Sequence, residues 1–416
     1  MTVKSSPRSP GRIPLPQPRP NGRGVNSAWV RRVNAVLLMQ ALRRHPGSSQ
    51  RELAVLTGLD KATVSAVTSQ LVEAGLVARC NAATTVRRLG RPAVALEIPR
   101  SAGAVFGVRL EPDRIEVAAA DLGGRIIDRE SRPGAAEPRE ALRSLAAGLT
   151  RLSHRLGPTP QRAIGIGVPA LIDKSGRLLF GPNLGWRDLP LAEMAAELLP
   201  APVLIENDTN AAAIAEREFG SCTGIDDFIY ISGHSGIGGA IFTGGRLYRG
   251  ADGLAGEFGH IRVVPGGRIC SCGGRGCLEA YASVPALFAS LVERNGTASD
   301  IAEIAMHAEA GDPTVLALLA ETGGLVGQAL AGSVNALNPG HLVIGGPLTV
   351  VAPWMLTALR NALARAAMEQ HVARLNIEPS PLGEDAVLMG GVALALQKVD
   401  ADLLQAIPTN ADSAVS

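Results

Sequence analysis

Apolar residues recur at two different spacings along this chain, and the change from one to the other falls near residue 100. From Asn26 onwards, Val33, Val36, Leu37, Met39 and Leu42 follow the helical period and stop at His45-Pro46-Gly47. Ser49 and Glu52 form a capping-box pair opening a short helix through Leu53, Ala54 and Leu56, closed by Thr57-Gly58-Leu59. Asp60 caps a third helix that turns Val64, Val67, Leu71 and Val72 inward and Lys61, Thr63, Ser65, Thr68 and Gln70 outward. Gly75-Leu76-Val77 ends it. Arg79, the run Arg87-Arg88-Leu89-Gly90-Arg91-Pro92 and the alternating Val94–Ile98 then predict a two-stranded wing with arginines at its tip.

Beyond Val105 the pattern predicts strand–helix cycles. Val105–Leu110 and Arg114–Asp121 read as paired strands, followed by a helix over about 138–155, a strand Ala163–Val168, and a strand Val203–Glu206 running into a helix over 210–218. A second cycle has a strand Asp227–Ser232, a turn-rich stretch 233–245, long helices within 300–337, a strand His341–Ile344 and a helix across 352–370. A last helix opens at Val387 and fades before 405–416. Such alternation favours mostly parallel sheets with covered faces. The predicted organisation is a basic, Pro-rich tail (1–27), a winged helix-turn-helix domain (28–99), two α/β lobes (100–225 and 226–400) and a flexible end (401–416).

Composition supports several domains: 416 residues, 46% of them hydrophobic, with 48 glycines for tight turns and close backbone approaches. The five cysteines, odd in number and three of them clustered, fit a reducing compartment and metal binding rather than a disulfide framework. No uninterrupted apolar run approaches the ~20 residues that span a bilayer, and the N-terminus lacks an apolar signal core, so a soluble, cytoplasmic protein without membrane insertion is expected. Charge is unevenly spread. Residues 1–98 carry fifteen Lys/Arg against four Asp/Glu, a local net of +11 in a chain whose total is +2. A basic front end on an acidic body predicts a polyanion partner for the front end alone.

Three helices, a turn glycine and a basic wing agree on double-stranded DNA as that partner, the alternative being a protein-docking helical module. Lys61, Thr63, Ser65, Thr68 and Gln70 are short enough to reach base edges in the major groove, and Arg87, Arg88 and Arg91 suit phosphates or a narrow minor groove. The tail at 1–27, with six prolines and five basic residues, either lies along phosphates or simply solubilises.

Polar residues just past strand ends are the usual ligand positions in open α/β sheets. Pro182-Asn183-Leu184-Gly185-Trp186 offers an amide beside an aromatic, and Glu206-Asn207-Asp208-Thr209-Asn210 a carboxylate among amides at a helix start. Paired donors and acceptors of this kind suit a polyhydroxylated ligand; equally, Asn183 caps a turn or Asp208 a helix. Glu257 and Glu279 bracket His260, Cys270, Cys272 and Cys277, one nitrogen and three sulfurs at spacings a bent loop closes around zinc. The bland reading is glycine-loop thiols beside a buried histidine. Cys80 and Cys222 lie far off and are expected to be inert.

Together these stretches resemble the ROK family, which unites bacterial repressors, open reading frames and sugar kinases. The resemblance runs from about residue 30 to 398 and is carried by Gly165-Ile166-Gly167-Val168-Pro169, Glu206–Ala212, Gly236-Ile237-Gly238-Gly239, Gly250–His260 and Cys270–Glu279. It implies a winged helix-turn-helix joined to a two-lobed, actin-like sugar-kinase fold of α/β class. It also implies a structural zinc on His260, Cys270, Cys272 and Cys277, and a sugar surrounded by Asn183, Asn207, Asp208, Glu257, His260 and Glu279, the histidine serving both through its two nitrogens.

Kinases of the family carry an Asp-x-Gly-Gly-Thr phosphate loop where this chain reads Arg109-Leu110-Glu111-Pro112-Asp113. Proline removes a backbone donor and the acids repel a triphosphate, so Asp208, at the family's general-base position, is expected to hold sugar hydroxyls rather than to catalyse. The expected function is a sugar-responsive transcriptional regulator, a repressor, acting as a homodimer or tetramer on an inverted-repeat operator, with a monosaccharide or sugar phosphate as effector. The rivals are an ATP-dependent sugar kinase that also regulates, and a regulator governed by a protein partner with a vestigial sugar site.

Overall fold

A computed structural model describes residues 27–81 and 94–406. The front end forms α1 (Ser27–Arg44), α2 (Gln50–Thr57), α3 (Lys61–Glu73) and an antiparallel pair, β1 (Ala78–Asn81) with β2 (Val94–Glu97). Its local signals operate as read. Ser49 Oγ accepts the Glu52 amide while Glu52 Oε2 accepts the Ser49 amide at 2.8 Å. Gly58 closes α2 at φ 72°, where a side chain would be strained, and Asp60 Oδ1 caps α3 through the Thr63 amide at 2.9 Å.

The outward face of α3 needs one correction. Lys61 and Ser65 are exposed, but Thr68 is 1% exposed. The core stripe is 64, 67, 68 and 71, the i, i+3, i+4, i+7 set, so Thr68 belongs inside and only half-buried Val72 stands at its border. Gln70 is half-buried, and the Thr63 hydroxyl donates to Asp60 Oδ2 at 2.6 Å as part of the cap. Arg87, Arg88 and Arg91 lie outside the described residues, as does the proline-rich tail through residue 26.

The body follows as β3 (Ala104–Leu110), β4 (Arg114–Asp121), β5 (Ile126–Pro133), α4 (Pro138–Leu156), β6 (Gln161–Val168), the short strands β7 (Leu171–Ile172), β8 (Leu178–Gly181) and β9 (Trp186–Leu189), α5 (Leu191–Leu198), β10 (Val203–Asn207) and α6 (Asp208–Phe219). The second half holds β11 (Phe228–Gly233), β12 (Ile237–Thr243), β13 (Arg246–Leu247), α7 (Glu279–Ala282), α8 (Val284–Glu293), α9 (Ile301–Glu309), α10 (Pro313–Leu337), β14 (His341–Gly345), α11 (Ala352–Ala366), α12 (Glu369–Val372), β15 (Asn376–Pro379) and α13 (Ala386–Ala406).

The two halves repeat one plan. Sheet order β10-β6-β3-β4-β5 in the first is matched by β15-β14-β11-β12-β13 in the second: a central first strand with an antiparallel meander on one side and two parallel strands on the other. The stretch 233–245 is therefore mostly strand, not turn. Its glycines serve close approach: a Cβ at Gly238 would lie 2.0 Å from Thr209 Oγ1, and one at Gly239 2.7 Å from Gly256 O. Helix α10 is long and apolar enough to cross a membrane, yet Leu318, Leu319, Val326, Leu330 and Val334 fill the second core beside Met355 and Leu359.

Chain order places the last helix with the second lobe, but α13 crosses back to the first. It lies so close to that sheet that a Cβ at Gly107 would meet Leu388 O at 2.3 Å and one at Gly165 would meet Gly391 O at 2.1 Å. Farther along, Val392, Leu396 and Val399 share a core with Leu38, Met39 and Leu42 of the winged-helix domain. Polar bonds fasten the same seam. Arg43 donates from both terminal nitrogens to Asp400 at 2.7 Å and from Nε to Leu122 O at 2.9 Å, with Gln40 Nε2 at 3.1 Å from Asp400. Both charged side chains are 8% exposed.

Truncating one partner of a buried ion pair leaves the other charge unsolvated. Asp400→Ala is therefore expected to lower stability by roughly 3–5 kcal/mol in urea unfolding, with the pair Arg43→Met/Asp400→Leu recovering most of it. A loss below about 1 kcal/mol for the single variant would mean that the seam is wet.

Candidate functional site

Between the lobes opens a cleft of about 370 Å³, and Asn183, Asn207, Asp208, Glu257, His260 and Glu279 all line it. The parallel pair β6 and β10 aims two of their loops there, and the β10–α6 junction supplies the floor. Asn207 is the N-cap of α6: Oδ1 accepts the Asn210 amide at 3.0 Å and Nδ2 donates to Ala170 O at 3.1 Å, so both ends hold neighbouring backbone. Asp208 begins the helix, with Oδ1 accepting the Thr209 amide at 2.7 Å. Desolvation pushes its carboxyl above the usual carboxylate range, against the Thr209 bonds and the charges of His234 and Arg109.

Glu206, which the motif contained but whose role spacing alone did not reveal, is 6% exposed and braces this floor. It accepts from Asn210 Nδ2 at 3.0 Å and pairs with Arg249 Nη2 at 2.6 Å. From the opposite wall, Asn183 Nδ2 donates to Ser235 Oγ at 2.9 Å, joining the rim of the first lobe to that of the second. Trp186 takes no part in the lining. It is buried in the first core, its indole N–H donating to Ala136 O at 2.6 Å.

The cysteine loop forms the remaining wall. One ligand atom from each of His260, Cys270, Cys272 and Cys277 falls within 4.8 Å of all the others. His260 Nδ1 is 3.6 Å from Cys270 Sγ, and the sulfurs of Cys272 and Cys277 are 3.8 Å apart. A tetrahedral zinc with Zn–S near 2.3 Å and Zn–N near 2.05 Å requires edges of about 3.8 Å and about 3.55 Å, so the donor set fits in both chemistry and size. The loop is built for this tightness: Gly276 has φ 78°, and a Cβ there would collide with Val264 O at 1.8 Å.

With Nδ1 turned to the sulfurs, His260 Nε2 faces Glu257 at 3.8 Å. Desolvation pushes the Glu257 carboxyl up, the nearby charges of Glu279 and Asp208 add to this, and His260 opposes it. Glu279 opens α7, accepting the Ile237 amide at 3.2 Å and the Ser271 hydroxyl at 2.5 Å. Cys222 is fully buried, its thiol pushed up to about 12 by desolvation, as befits an inert residue.

A side pocket of about 30 Å³ adjoins the cleft at Asp208 and His234. Arg109 lies there with Nη2 2.6 Å from Glu111 Oε1 and 3.2 Å from His234 Nε2. The sequence marks Arg109 and His234 only as residues of the two altered phosphate segments; their contact is not legible there, because only the crossing of two lobes brings residues 125 apart together.

Residues 105–398 match the family model described as the ROK family, and residues 32–88 match the MarR family. The chain is 32% identical over 378 residues to the xylose repressor of Bacillus spizizenii, covering 90% of this chain and 97% of that one. Among solved structures it is similar to a ROK family transcriptional regulator, a homologue of the E. coli MLC protein, with TM-score 0.76 and 26% identity over 90% of this chain and 98% of that one. It is also similar to a ROK family glucokinase from Streptomyces griseus in complex with glucose and AMPPNP, with TM-score 0.64 and 31% identity over 71% and 100% of the two chains.

Because folding raises the Asp208 pKa, ionisation costs more in the folded state, and the penalty is fully present above the folded value and absent below the ordinary 3.8. Asp208→Asn should therefore melt at a higher temperature than the parent at pH 7 without ligand, the gap closing as pH falls toward 3.8. A variant less stable at pH 7 would contradict the desolvation of the Asp208 carboxylate.

Proposed function

The chain belongs to the ROK family, and from that premise we propose that it is a sugar-responsive DNA-binding repressor. The observation carrying the reading is that a winged helix with an exposed polar helix face shares one core, through α13, with the lobe that floors a carboxylate- and amide-lined cleft. Lys61, Ser65 and the half-buried Thr63 and Gln70 face the major groove, and Arg87, Arg88 and Arg91 bind phosphates. Two such modules in a homodimer read an inverted repeat in the cytoplasm, because doubling a short module multiplies discrimination.

Hydroxyls of a monosaccharide bond to Asp208, Glu257 and Glu279, with His260 Nε2 and Asn183 on the rim. Xylose is the first candidate, since the Bacillus spizizenii relative is named for it. Zinc on His260, Cys270, Cys272 and Cys277 supplies no chemistry to the sugar; it fixes the loop so that Glu257 and Glu279 stay aimed inward. Kinase activity is not part of the reading. Glu111 and Pro112 stand where a phosphate loop needs backbone donors, and the Arg109–Glu111 pair fills the place.

An operator fragment selected from random duplexes by the purified, zinc-loaded protein tests the proposal by fluorescence anisotropy. One of xylose, glucose and N-acetylglucosamine should weaken operator binding at least about tenfold; constant affinity across the panel would overturn it. ADP release with any of these sugars, abolished in Asp208→Asn, would instead support the kinase. For the metal, mass spectrometry should find about one zinc per chain and a loss in Cys272→Ser that carries sugar binding with it; metal-free protein that still binds sugar normally would remove zinc from the account.

A further inference from the structure

We propose that the cleft admits uncharged monosaccharides and rejects their phosphate esters, with Glu111 the residue that enforces the rejection. The inference deepens the sugar-binding reading and rests on it. A phosphate monoester carries close to two negative charges at neutral pH and needs cationic side chains or unspent amide donors. Among the described residues, the lining of the 370 Å³ cleft includes Asp208, Glu257 and Glu279 but neither lysine nor arginine. Repulsion from carboxylates in a half-enclosed space opposes an anion and leaves neutral hydroxyls unaffected.

Two features next to the cleft are of the kind that attract phosphate, and each is already satisfied by the protein. The first is Arg109. Glu111 Oε1 accepts from its Nε at 3.0 Å and from its Nη2 at 2.6 Å, and Glu116 Oε2 lies 3.6 Å from Nη1. His234 Nε2 lies 3.2 Å from the same Nη2 and 3.6 Å from Glu111 Oε1, so the imidazole too is held within this cluster. The remaining side pocket, about 30 Å³, is of the order of one water. The second feature is the N-terminus of α6. Its first amides are taken by internal acceptors, Thr209 N by Asp208 Oδ1 and Asn210 N by Asn207 Oδ1.

Glu111 is thus the internal substitute for a phosphate. Removing its charge while keeping its shape releases Arg109 toward the cleft, which makes the idea testable without rebuilding the pocket. Calorimetric titration at pH 7.5 of the full-length, zinc-loaded protein would compare xylose, glucose and N-acetylglucosamine with xylose 5-phosphate, glucose 6-phosphate and N-acetylglucosamine 6-phosphate. The sugar that binds should do so about 100-fold more tightly than its phosphate, and Glu111→Gln should narrow that ratio about tenfold. Adding Arg109→Gln should restore the ratio. A phosphate ester that binds as tightly as its parent sugar, or tighter, overturns the proposal and leaves the sugar-binding reading standing. An unchanged ratio in folded Glu111→Gln overturns the role given to Glu111. Failure of every neutral sugar and every ester to bind overturns the sugar-binding reading and this proposal with it.

Discussion

Backbone against backbone contact between α13 and the first sheet is the constraint on which the rest of the molecule depends. Gly107 and Gly165 on the strands and Gly391 on the helix leave no room for side chains between them: a Cβ at Gly391 would lie 2.5 Å from Gly165 O. This closeness makes α13 a stiff strut. One end begins beside Arg109, whose Nη1 lies 3.5 Å from Glu384 O, and beside Asp385, paired with Arg129 at 2.7 Å. The other end carries Asp400, clasped by Arg43 of the DNA-binding domain. A change in lobe spacing at the cleft therefore has a rigid element through which to act on the winged helix.

The electrostatics of the cleft follow the same economy. Carboxylates that would repel one another are kept apart: Glu206 is paired with Arg249 and Glu111 with Arg109, while Asp208, Glu257 and Glu279 line the cleft. Desolvation raises the Asp208 pKa, so a carboxylate there lowers the stability of the unliganded protein, as is common for groups at functional clefts. The His/Cys cluster adds direction, since Nδ1 turned to the sulfurs leaves Nε2 of His260 on the side of Glu257.

Much of this was legible because short-range chemistry wrote it. The capping box at Ser49 and Glu52, the positive-φ glycine at 58 and the His260–Cys277 spacing each act over a short stretch of chain, and each is found where the local pattern predicts it. Thr68 was misplaced because a hydroxyl on a helix reads as outward, although the stripe through Val64 and Leu71 passes over it. Gly238 and Gly239 fall in a stretch that reads as turn-rich because glycine carries no alternation; the strand is visible only once Thr209 and Phe258 are seen crowding them. The return of α13 to the first lobe, and the meeting of Arg109 with His234, are matters of topology over hundreds of residues, which local pattern does not encode.

If the strut couples cleft to DNA, sugar and operator must affect one another's affinity by the same factor. The direct measurement is the sugar dissociation constant by calorimetry, with and without saturating operator. The account predicts weaker sugar binding on the DNA-bound protein, by the factor through which sugar weakens operator binding. Identical sugar affinities in the two states would contradict it.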